Sequence, residues 1–356
     1  MNGRIFDPRG NRQINTLSYP FGSLLIGINF RYLCSCVHVY ASIYYHLSKG
    51  RPVMRKTKTS INQKRKLISI LFILPTFLLL FLFIIVPILY GFKISFQNYN
   101  IAMPASTRTF CGLANYKSVL SNPDFRHSFS WTLEFVVIAV TGTVFLAMLL
   151  ALALNSPKVK GFIGRLVKTA FILPMMLCPL IVANIWYIIF APNYGLINST
   201  LSRIQMSTIS FFGDTFWARF AILSVEFWWG TPYVMIILLA ALTTVPAELL
   251  ESAALEGANK LQVFFHVTLP CISNFVVLVV SIRLMDALRM FDISYALTEG
   301  GPSKSTQTLA YFIYETGFKY LKVGEASAAA FLLFSMIIII TFLFLKITDK
   351  LVPTDL

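Results

Sequence analysis

The sequence predicts an all-α membrane protein with six transmembrane helices, and three observations carry that prediction. Of its 356 residues 56% are hydrophobic and only 13% are charged, which is too apolar for an ordinary soluble domain. Several apolar runs have roughly the 20 residues needed to cross about 30 Å of hydrocarbon. Basic residues gather in short loops beside these runs, as cytoplasmic loops of membrane proteins do.

Net charge and cysteine usage argue against nucleic-acid-binding, zinc-binding and disulfide-rich classes of protein. The 30 Lys and Arg residues exceed the 15 Asp and Glu residues, giving a formal charge of +15 that in a soluble protein would suggest nucleic-acid binding. Because these cations flank apolar runs, they indicate membrane sidedness and not a groove for phosphates. The five cysteines show neither zinc-type pairing nor a disulfide framework, so we interpret them as packing residues.

Residues 1–66 form a basic N-terminal extension that is predicted to be cytoplasmic. Its longest uncharged run is too short and too polar for a confident span, although a weakly membrane-associated segment is an alternative. From Arg51 to Lys66 the segment carries basic residues and no acid, which favours the inside of the membrane. We find no cleavable secretory signal in it.

Six apolar runs after the extension are predicted to cross the membrane. Basic residues without acids between the second and third runs place that loop inside, so both chain termini are predicted to be cytoplasmic. Prolines at positions 75 and 87 are expected to bend the first run. The predicted spans are Leu67 to Tyr90, Phe129 to Leu154, Thr169 to Phe190, Trp217 to Leu242, Pro270 to Tyr295 and Ala326 to Leu345.

The segment 245–270, which we call the elbow, is a polar interruption between spans four and five. Pro246 is suited to the first position of a helix, and Glu248 and Glu251 place negative charge near the positive end of that helix. Gly257 is predicted to end the helix in the left-handed conformation, so that a second helical segment starts in a new direction. A solvated connecting loop is the simpler alternative.

The elbow resembles the Glu-Ala-Ala loop of ABC importer permeases, the membrane subunits of ATP-driven uptake systems. Its sequence from Glu251 reads Glu-Ser-Ala-Ala-Leu-Glu-Gly-Ala, and Leu-Pro closes the segment. The resemblance rests on spacing, the glycine and the flanking spans, while a serine and a second glutamate are mild departures. The residues matched to the family's ATPase-coupling loop are Glu251, Ser252, Ala253, Gly257, Ala258 and Pro270.

Other phrases extend the resemblance to the sugar-permease branch, over about residue 66 to the C-terminus. Gly112 to Tyr116 and Leu297 to Pro302, which reads Leu-Thr-Glu-Gly-Gly-Pro, are similar to family phrases in outer loops. The chain resembles the first of the two permeases in maltose-like or oligosaccharide systems. The resemblance therefore implies that 67–350 is a six-span permease domain, with 245–270 as its ATPase-coupling loop.

The resemblance also implies partners and a mechanism. The partners are a second similar permease, two ATP-binding subunits and an extracytoplasmic solute-binding protein, in the plasma or inner membrane. ATP and Mg²⁺ are expected on the ATP-binding subunits, with no cofactor on this chain. The implied mechanism is alternating access, in which closure of the ATPases moves the elbow and opens the pathway.

Enzyme motifs and metal sites are not apparent in the sequence. The segment from Gly161 to Thr169 comes nearest to a phosphate-binding loop, but Val167 stands where such a loop needs glycine. No serine-nucleophile elbow or zinc motif is present, and the four histidines are scattered. ATP hydrolysis is therefore expected on separate subunits.

Charged residues in span five are candidates for the solute pathway because charge is expensive in hydrocarbon. Arg283 and Asp286 are three residues apart and are predicted to pair, facing either the solute or a neighbouring subunit. Together with Arg289, Arg283 leaves open an importer of glycerol phosphate or acidic sugars. A secondary transporter is a further alternative, but it would favour inverted repeats that we do not detect.

Span four contributes the other pathway candidates. Trp228 to Tyr233 combines aromatic side chains with a Gly-Thr-Pro step that weakens a helix. Aromatic faces are suited to stacking on sugar rings, although an interface belt with a kink is an alternative for Trp228. Sugar permeases similar to this chain line their pocket here, which favours Gly230 and Tyr233.

We expect the segment before Met54 to be dispensable, because family-like sequence begins only near the basic run. Translation from Met54 would retain the cationic anchor. Mass spectrometry of the purified subunit should find a start at Met54, and deletion of 1–53 should leave uptake intact. Loss of uptake on deletion would show that the extension matters.

Overall fold

The computed structural model describes residues 58–104, 106, 108–156 and 161–351, and these are almost entirely helical. They confirm the all-α class. The described part includes one two-stranded antiparallel ribbon, Gln97–Asn98 with Thr109–Phe110. The chain divides into the units Met1–Leu78 and Leu79–Leu356. The predicted start at Met54 lies outside the described residues.

The helices alternate between long membrane helices and short connecting ones. In chain order the described α-helices are α1 (Lys58–Leu80), α2 (Val86–Ser95), α3 (Ala114–Ser121), α4 (Pro123–Asn155), α5 (Gly161–Ile172), α6 (Pro179–Phe190), α7 (Leu196–Arg203), α8 (Thr215–Leu242), α9 (Ala247–Leu255), α10 (Lys260–Val263), α11 (Leu269–Cys271), α12 (Ser273–Leu288), α13 (Asp292–Thr298), α14 (Leu309–Tyr314) and α15 (Val323–Leu351).

Four stretches of the described chain are helical, long and apolar enough to cross a membrane, and two bent pairs raise the number to six. The four are Ser69–Ser95, Pro123–Asn155, Thr215–Leu242 and Val323–Asp349. Predicted span three is bent by 99° between Gly164–Met176 and Pro179–Phe190, and a bend of 73° between Lys260–Cys271 and Ser273–Leu288 lies at the start of predicted span five. The six predicted spans thus correspond to four continuous stretches and two broken ones.

Proline explains two local widenings of the helices. Proline lacks an N–H group and its ring clashes with the carbonyl four residues earlier. The chain adopts a π-helix at Phe81–Ile85, just before Pro87, and another at Phe264–Thr268, just before Pro270. The bend expected at Pro87 therefore takes the form of a wider turn, and Ser69–Ser95 remains one candidate span.

The packed core lies mainly between α4 and α8. A first apolar cluster includes Phe135, Ile222 and Leu288, and a second includes Leu238 and Ile272. The two helices approach closely where α4 carries a glycine. A side chain at Gly142 would lie 2.5 Å from the ring of Phe227, so only glycine fits there without displacement.

A polar segment, residues 298–309, is buried from Ser305 to Leu309 and joins several helices; we call it the outer clasp after its predicted location outside the membrane. Gln307, which is fully buried, accepts a hydrogen bond from Ser128 on α4 (3.1 Å) and donates one to Glu315 (2.6 Å). Arg219 on α8 donates to the carbonyl of Ser305 (3.1 Å). The Leu-Thr-Glu-Gly-Gly-Pro sequence that begins at Leu297 is therefore followed by a segment that hydrogen bonds hold to α4 and α8.

A short helix, α14, lies between predicted spans five and six. Tyr311 and Phe312 on it are buried, and Phe312 packs in a third apolar cluster with residues of α4 and α15. Phe318, in the π-helix that follows, is 75% exposed. The aromatic residues of this segment thus mostly pack within the subunit.

Lys304 is the charged centre of the outer clasp. It pairs with Asp124 at the start of α4 and lies 3.8 Å from a carboxylate oxygen of Glu315. Partial burial lowers the pKa of Lys304, but the hydrogen bond and charge of Asp124, followed by the charge of Glu315, raise it more. The pKa is therefore above its ordinary value of 10.5.

Lys304→Met should destabilise the subunit by about 1 kcal/mol or less, because the pair is more than one-third exposed and water screens it. The raised pKa means that the stabilisation is complete below pH 10.5 and is lost as pH rises through the folded-state value. Thermal unfolding in detergent should show the same deficit at pH 7 and pH 9.5. Lys322→Met, which removes only an exposed i,i+3 pair, is the control. A deficit that vanishes by pH 9.5 would contradict this assignment.

Candidate functional site: a helical elbow and a buried ion pair

The elbow begins with a short exposed helix. Pro246 has extended backbone angles and is the N-cap residue, so α9 starts at Ala247, one residue later than predicted. The correction follows from its ψ of 130°, which is not helical. Glu248 lies in the first turn of α9, where a negative charge is favourable.

Gly257 ends α9 as predicted. Its φ is +79°, in the left-handed region that favours glycine. The amide of Ala258 donates to the carbonyl of Ala253 (3.0 Å), and the amide of Gly257 donates to that of Ala254 (3.1 Å). These two bonds are the pair that defines a Schellman motif, which satisfies the last carbonyls of the helix.

A capping box restarts the chain in a new direction. The side chain of Asn259 accepts from the amide of Gln262 (2.9 Å), and the side chain of Gln262 accepts from the amide of Asn259 (2.8 Å). The helical path then runs through α10 and the π-turn to Pro270 in α11. The 73° bend before α12 completes the elbow.

The elbow exposes apolar as well as acidic side chains. Glu251 and Ser252 are exposed, whereas Ala253 and Ala258 are half-buried. Several large apolar residues are also exposed, led by Leu255 at 90%: Leu249, Leu250, Leu255, Leu261 and Phe265. Apolar side chains exposed together outside the predicted spans are typical of a protein-binding surface.

Arg283 pairs with a residue that sequence analysis did not select. Its guanidinium donates to the carboxylate of Glu226 on α8, and both side chains are at most 4% exposed. Asp286 instead pairs with Arg289 at 2.7 Å, and both of these side chains are more than one-third exposed. The predicted pair of Arg283 with Asp286 is therefore wrong. A buried cation needs a buried counter-charge, and helix packing supplies Glu226.

Gly230 makes room for this ion pair. It lies one helical turn after Glu226 on α8, and a side chain here would approach the guanidinium of Arg283 to 2.8 Å. The pair and the glycine thus form one arrangement between α8 and α12. The pathway roles predicted for Gly230, Arg283 and Asp286 stay predictions, but the local geometry gives Gly230 a packing function.

The aromatic part of α8 is anchored to predicted span three. The indole of Trp229 donates to the carbonyl of Leu177 (3.1 Å), in the break before α6, and Trp228 packs edge-on against Trp186 with centroids 5.8 Å apart. Tyr233 is half-buried beside the second cluster. Helix α8 continues through Pro232 without a break.

Glu226 is the main residue that sequence analysis missed. A single acid within an apolar span is itself a signal, because carboxylates in membrane helices are rare and usually paired. Its partner was not readable from the sequence, since Arg283 lies 57 positions further along the chain. Only the packing of α8 against α12 brings the two charges together.

One known protein family matches more than half of this chain. The family described as "Binding-protein-dependent transport system inner membrane component" matches residues 143–352. The trehalose/maltose transport system permease protein MalF of Thermococcus litoralis is 32% identical over 280 residues, 78% of this chain and 92% of the relative. The multiple sugar-binding transport system permease protein MsmF of Streptococcus mutans is 32% identical over 286 residues, 78% of this chain and 94% of the relative.

Solved structures give the same fold. A chain of a bacterial ABC transporter that imports the acidic polysaccharide alginate superposes with a TM-score of 0.74 at 23% identity, covering 83% of this chain and 100% of that one. A chain of the alginate transporter in complex with a pentasaccharide-bound periplasmic protein gives a TM-score of 0.72 at 22% identity, covering 83% of this chain and 98% of that one.

Proposed function

This chain belongs to the binding-protein-dependent transport system inner membrane components, the permease subunits of ABC importers, and we propose that it forms half of a sugar pathway. It is a multi-pass membrane protein. The observation that carries the proposal is the Schellman-capped elbow with its exposed apolar side chains, between helices that form the membrane core. Relatives named for trehalose, maltose and multiple sugars support the substrate class.

We propose that the elbow couples this subunit to an ATPase. Exposed Leu249, Leu255 and Phe265 would pack into a groove on the ATP-binding subunit, and Glu251 would meet a basic group there. Two such subunits would carry ATP and Mg²⁺ and perform the hydrolysis. A second permease would complete the pathway, and the solute-binding protein would deliver sugar from outside.

The proposed topology follows the basic loops. Both termini would be cytoplasmic, residues 1–66 would form a cytoplasmic extension, and 67–350 would form the membrane domain with 245–270 as the coupling loop. This places the elbow on the ATPase side of the membrane. The outer clasp would lie on the opposite side, where the binding protein docks.

The arginines favour a neutral sugar over an acidic one. Names of relatives and neighbours extend from maltose to the acidic polysaccharide alginate and do not decide the question. The guanidinium of Arg283 is buried against Glu226, and that of Arg289 is paired with Asp286. The buried Arg283 is therefore not free to bind an anionic solute, and the charge of the exposed Arg289 is offset by Asp286.

The test of this function is ATP-driven uptake by the complete transporter in vesicles. Candidate sugars are screened first by binding to the cognate solute-binding protein. We expect neutral oligosaccharides to accumulate only with ATP, both permeases and the binding protein present. Uptake without ATP would favour a secondary transporter, and uptake of uronic acids or sugar phosphates in preference would contradict the neutral class.

Glu251→Ala should weaken ATPase docking more than folding, because the side chain is exposed on α9. Removing one interfacial charge typically costs about 2 to 5 kcal/mol when its partner is left buried. Co-purification should therefore recover less ATPase, while the membrane-inserted subunit is present in normal amount. Glu256→Ala, just beyond α9, is the matched control. Normal ATPase recovery with Glu251→Ala would remove this carboxylate from the interface.

A further inference from the structure

The buried pair of Glu226 and Arg283 joins the two long helices that bracket the elbow. Glu226 is on α8, which leads into the elbow, and Arg283 is on α12, which leaves it. Any displacement of the elbow reaches the membrane through these two helices. The pair lies about 24 Å from the elbow end of α8, at 1.5 Å per residue, and so within the membrane region.

We propose that Glu226 is a positioning residue that holds Arg283 and so makes α8 and α12 move together when the elbow is displaced. We call the arrangement of Glu226, Gly230 and Arg283 the interspan clamp. The inference rests on the coupling role proposed for the elbow. In this proposal the ion pair in the membrane core helps to transmit ATP-driven motion.

Apolar packing alone would not fix the relative position of these helices. Glu226 and Arg283 are flanked in sequence by Val225 and Leu284 of the first cluster, and the same two helices carry Val234 and Val279 of the second. Apolar attraction is non-directional, so it opposes a shift of one helix along the other less specifically than a bond with a preferred geometry does. A charge-assisted hydrogen bond has a preferred geometry, and separating it would leave two charges unpaired in a medium of low dielectric.

The position of the Arg283 guanidinium depends mainly on its hydrogen bond to Glu226. Gly230 leaves the space that the guanidinium occupies. The Nε of Arg283 is buried and has no hydrogen-bond partner among the described residues. Arg283 is therefore held by the shape of the slot and by the carboxylate of Glu226, and removing the carboxylate should release it.

The test is the number of sugar molecules imported per ATP hydrolysed by the complete transporter in vesicles. Glu226→Leu and Arg283→Met are combined, because a double replacement leaves no uncompensated charge and allows folding. We expect the assembled complex to be recovered with its sugar-to-ATP ratio lowered by a factor within the 5- to 150-fold range typical of coupling between sites. A wild-type ratio would overturn the proposal.

A control pair separates clamping from general loss of charge. Glu134→Gln removes the ion pair with Arg219, which joins α4 and α8 at 3.0 Å but is partly exposed and does not bracket the elbow. This variant should keep the wild-type ratio. An equal loss in the control would mean that any interhelical charge has the same effect, and the specific clamp would be refuted.

Gly230→Ala tests the same clamp without changing a charge. The added methyl group would displace the guanidinium and should lower the ratio in the wild-type background. In the double variant the guanidinium is gone, so the same change should have little further effect. An equal loss in both backgrounds would mean that Gly230 acts separately, and it would overturn the clamp.

Gly257→Val in the elbow, measured in parallel, distinguishes failure of the interspan clamp from failure of the coupling role proposed for the elbow. If it lowers the ratio while the double variant does not, the clamp fails and elbow coupling stands. If neither lowers the ratio, the coupling role itself fails.

Discussion

Gly257→Val should abolish sugar uptake while leaving the subunit in the membrane. Gly257 has a φ of +79°, where an L-residue loses roughly 1 to 2 kcal/mol and a β-branched one more. No described atom outside the neighbouring residues lies within 4 Å of the position of an added Cβ, so the strain is in the backbone alone. The two hydrogen bonds that end α9 would be lost, and the elbow would change direction.

A second glycine provides a matched control for this change. Gly112 lies in the loop between the first two predicted spans, with a φ of +56° and, among the described residues, equally open surroundings. Gly112→Val should carry a comparable backbone penalty without affecting uptake. ATPase activity and uptake are measured for both variants in vesicles with the loaded binding protein. Normal coupled rates with Gly257→Val would mean that the elbow is only a connector.

The elbow could be predicted because its determinants are local. A left-handed glycine after a short helix, followed by Asn259 and Gln262 at capping-box spacing, fixes two helix ends within a few residues. Gly257 therefore lies where the sequence analysis expects it, whereas Glu251 lies in the middle of α9 and not near its positive end. The other correction there is the start of α9, which moves by one residue at Pro246.

Features that depend on distant residues could not be predicted in the same way. The ion pair of Arg283 joins residues 57 positions apart, and the outer clasp joins Ser128 to Gln307 across 179 positions. Sequence spacing suggests Asp286 for Arg283 because it predicts contacts only between i,i+3 and i,i+4 neighbours on one helix. Choosing between a near and a far partner requires knowing which face of α12 is buried.

The boundaries of the membrane spans could be predicted only in part from the sequence. The apolar runs predict where the membrane helices lie. Hydropathy carries no information on the direction of the chain, so it does not predict the 99° and 73° bends. Prolines at 174, 179 and 270 were visible in the sequence, and each lies within or beside a bent pair. A π-helix precedes Pro87 without a sharp bend, whereas at Pro270 a π-helix and the 73° bend occur together, so the proline alone does not predict the bend.

Arg283→Met should severely destabilise the subunit, whereas Arg289→Met should be nearly neutral. The first change leaves the carboxylate of Glu226 buried at 4% exposure without a counter-charge, which typically costs about 3 to 5 kcal/mol. The second removes a pair of exposed side chains, which is worth about 1 kcal/mol or less. The yield and thermal unfolding of the purified subunit are the measurements.

Asp286→Asn completes the comparison, because it distinguishes the partner that the sequence suggested from the partner that the structure gives. If Glu226 holds Arg283, Asp286→Asn should resemble Arg289→Met, since it breaks the same exposed pair. Adding Glu226→Leu to Arg283→Met should recover most of the lost stability, because the unpaired carboxylate is then gone. A loss with Asp286→Asn as large as that with Arg283→Met, and no recovery from the second replacement, would favour the i,i+3 pair instead.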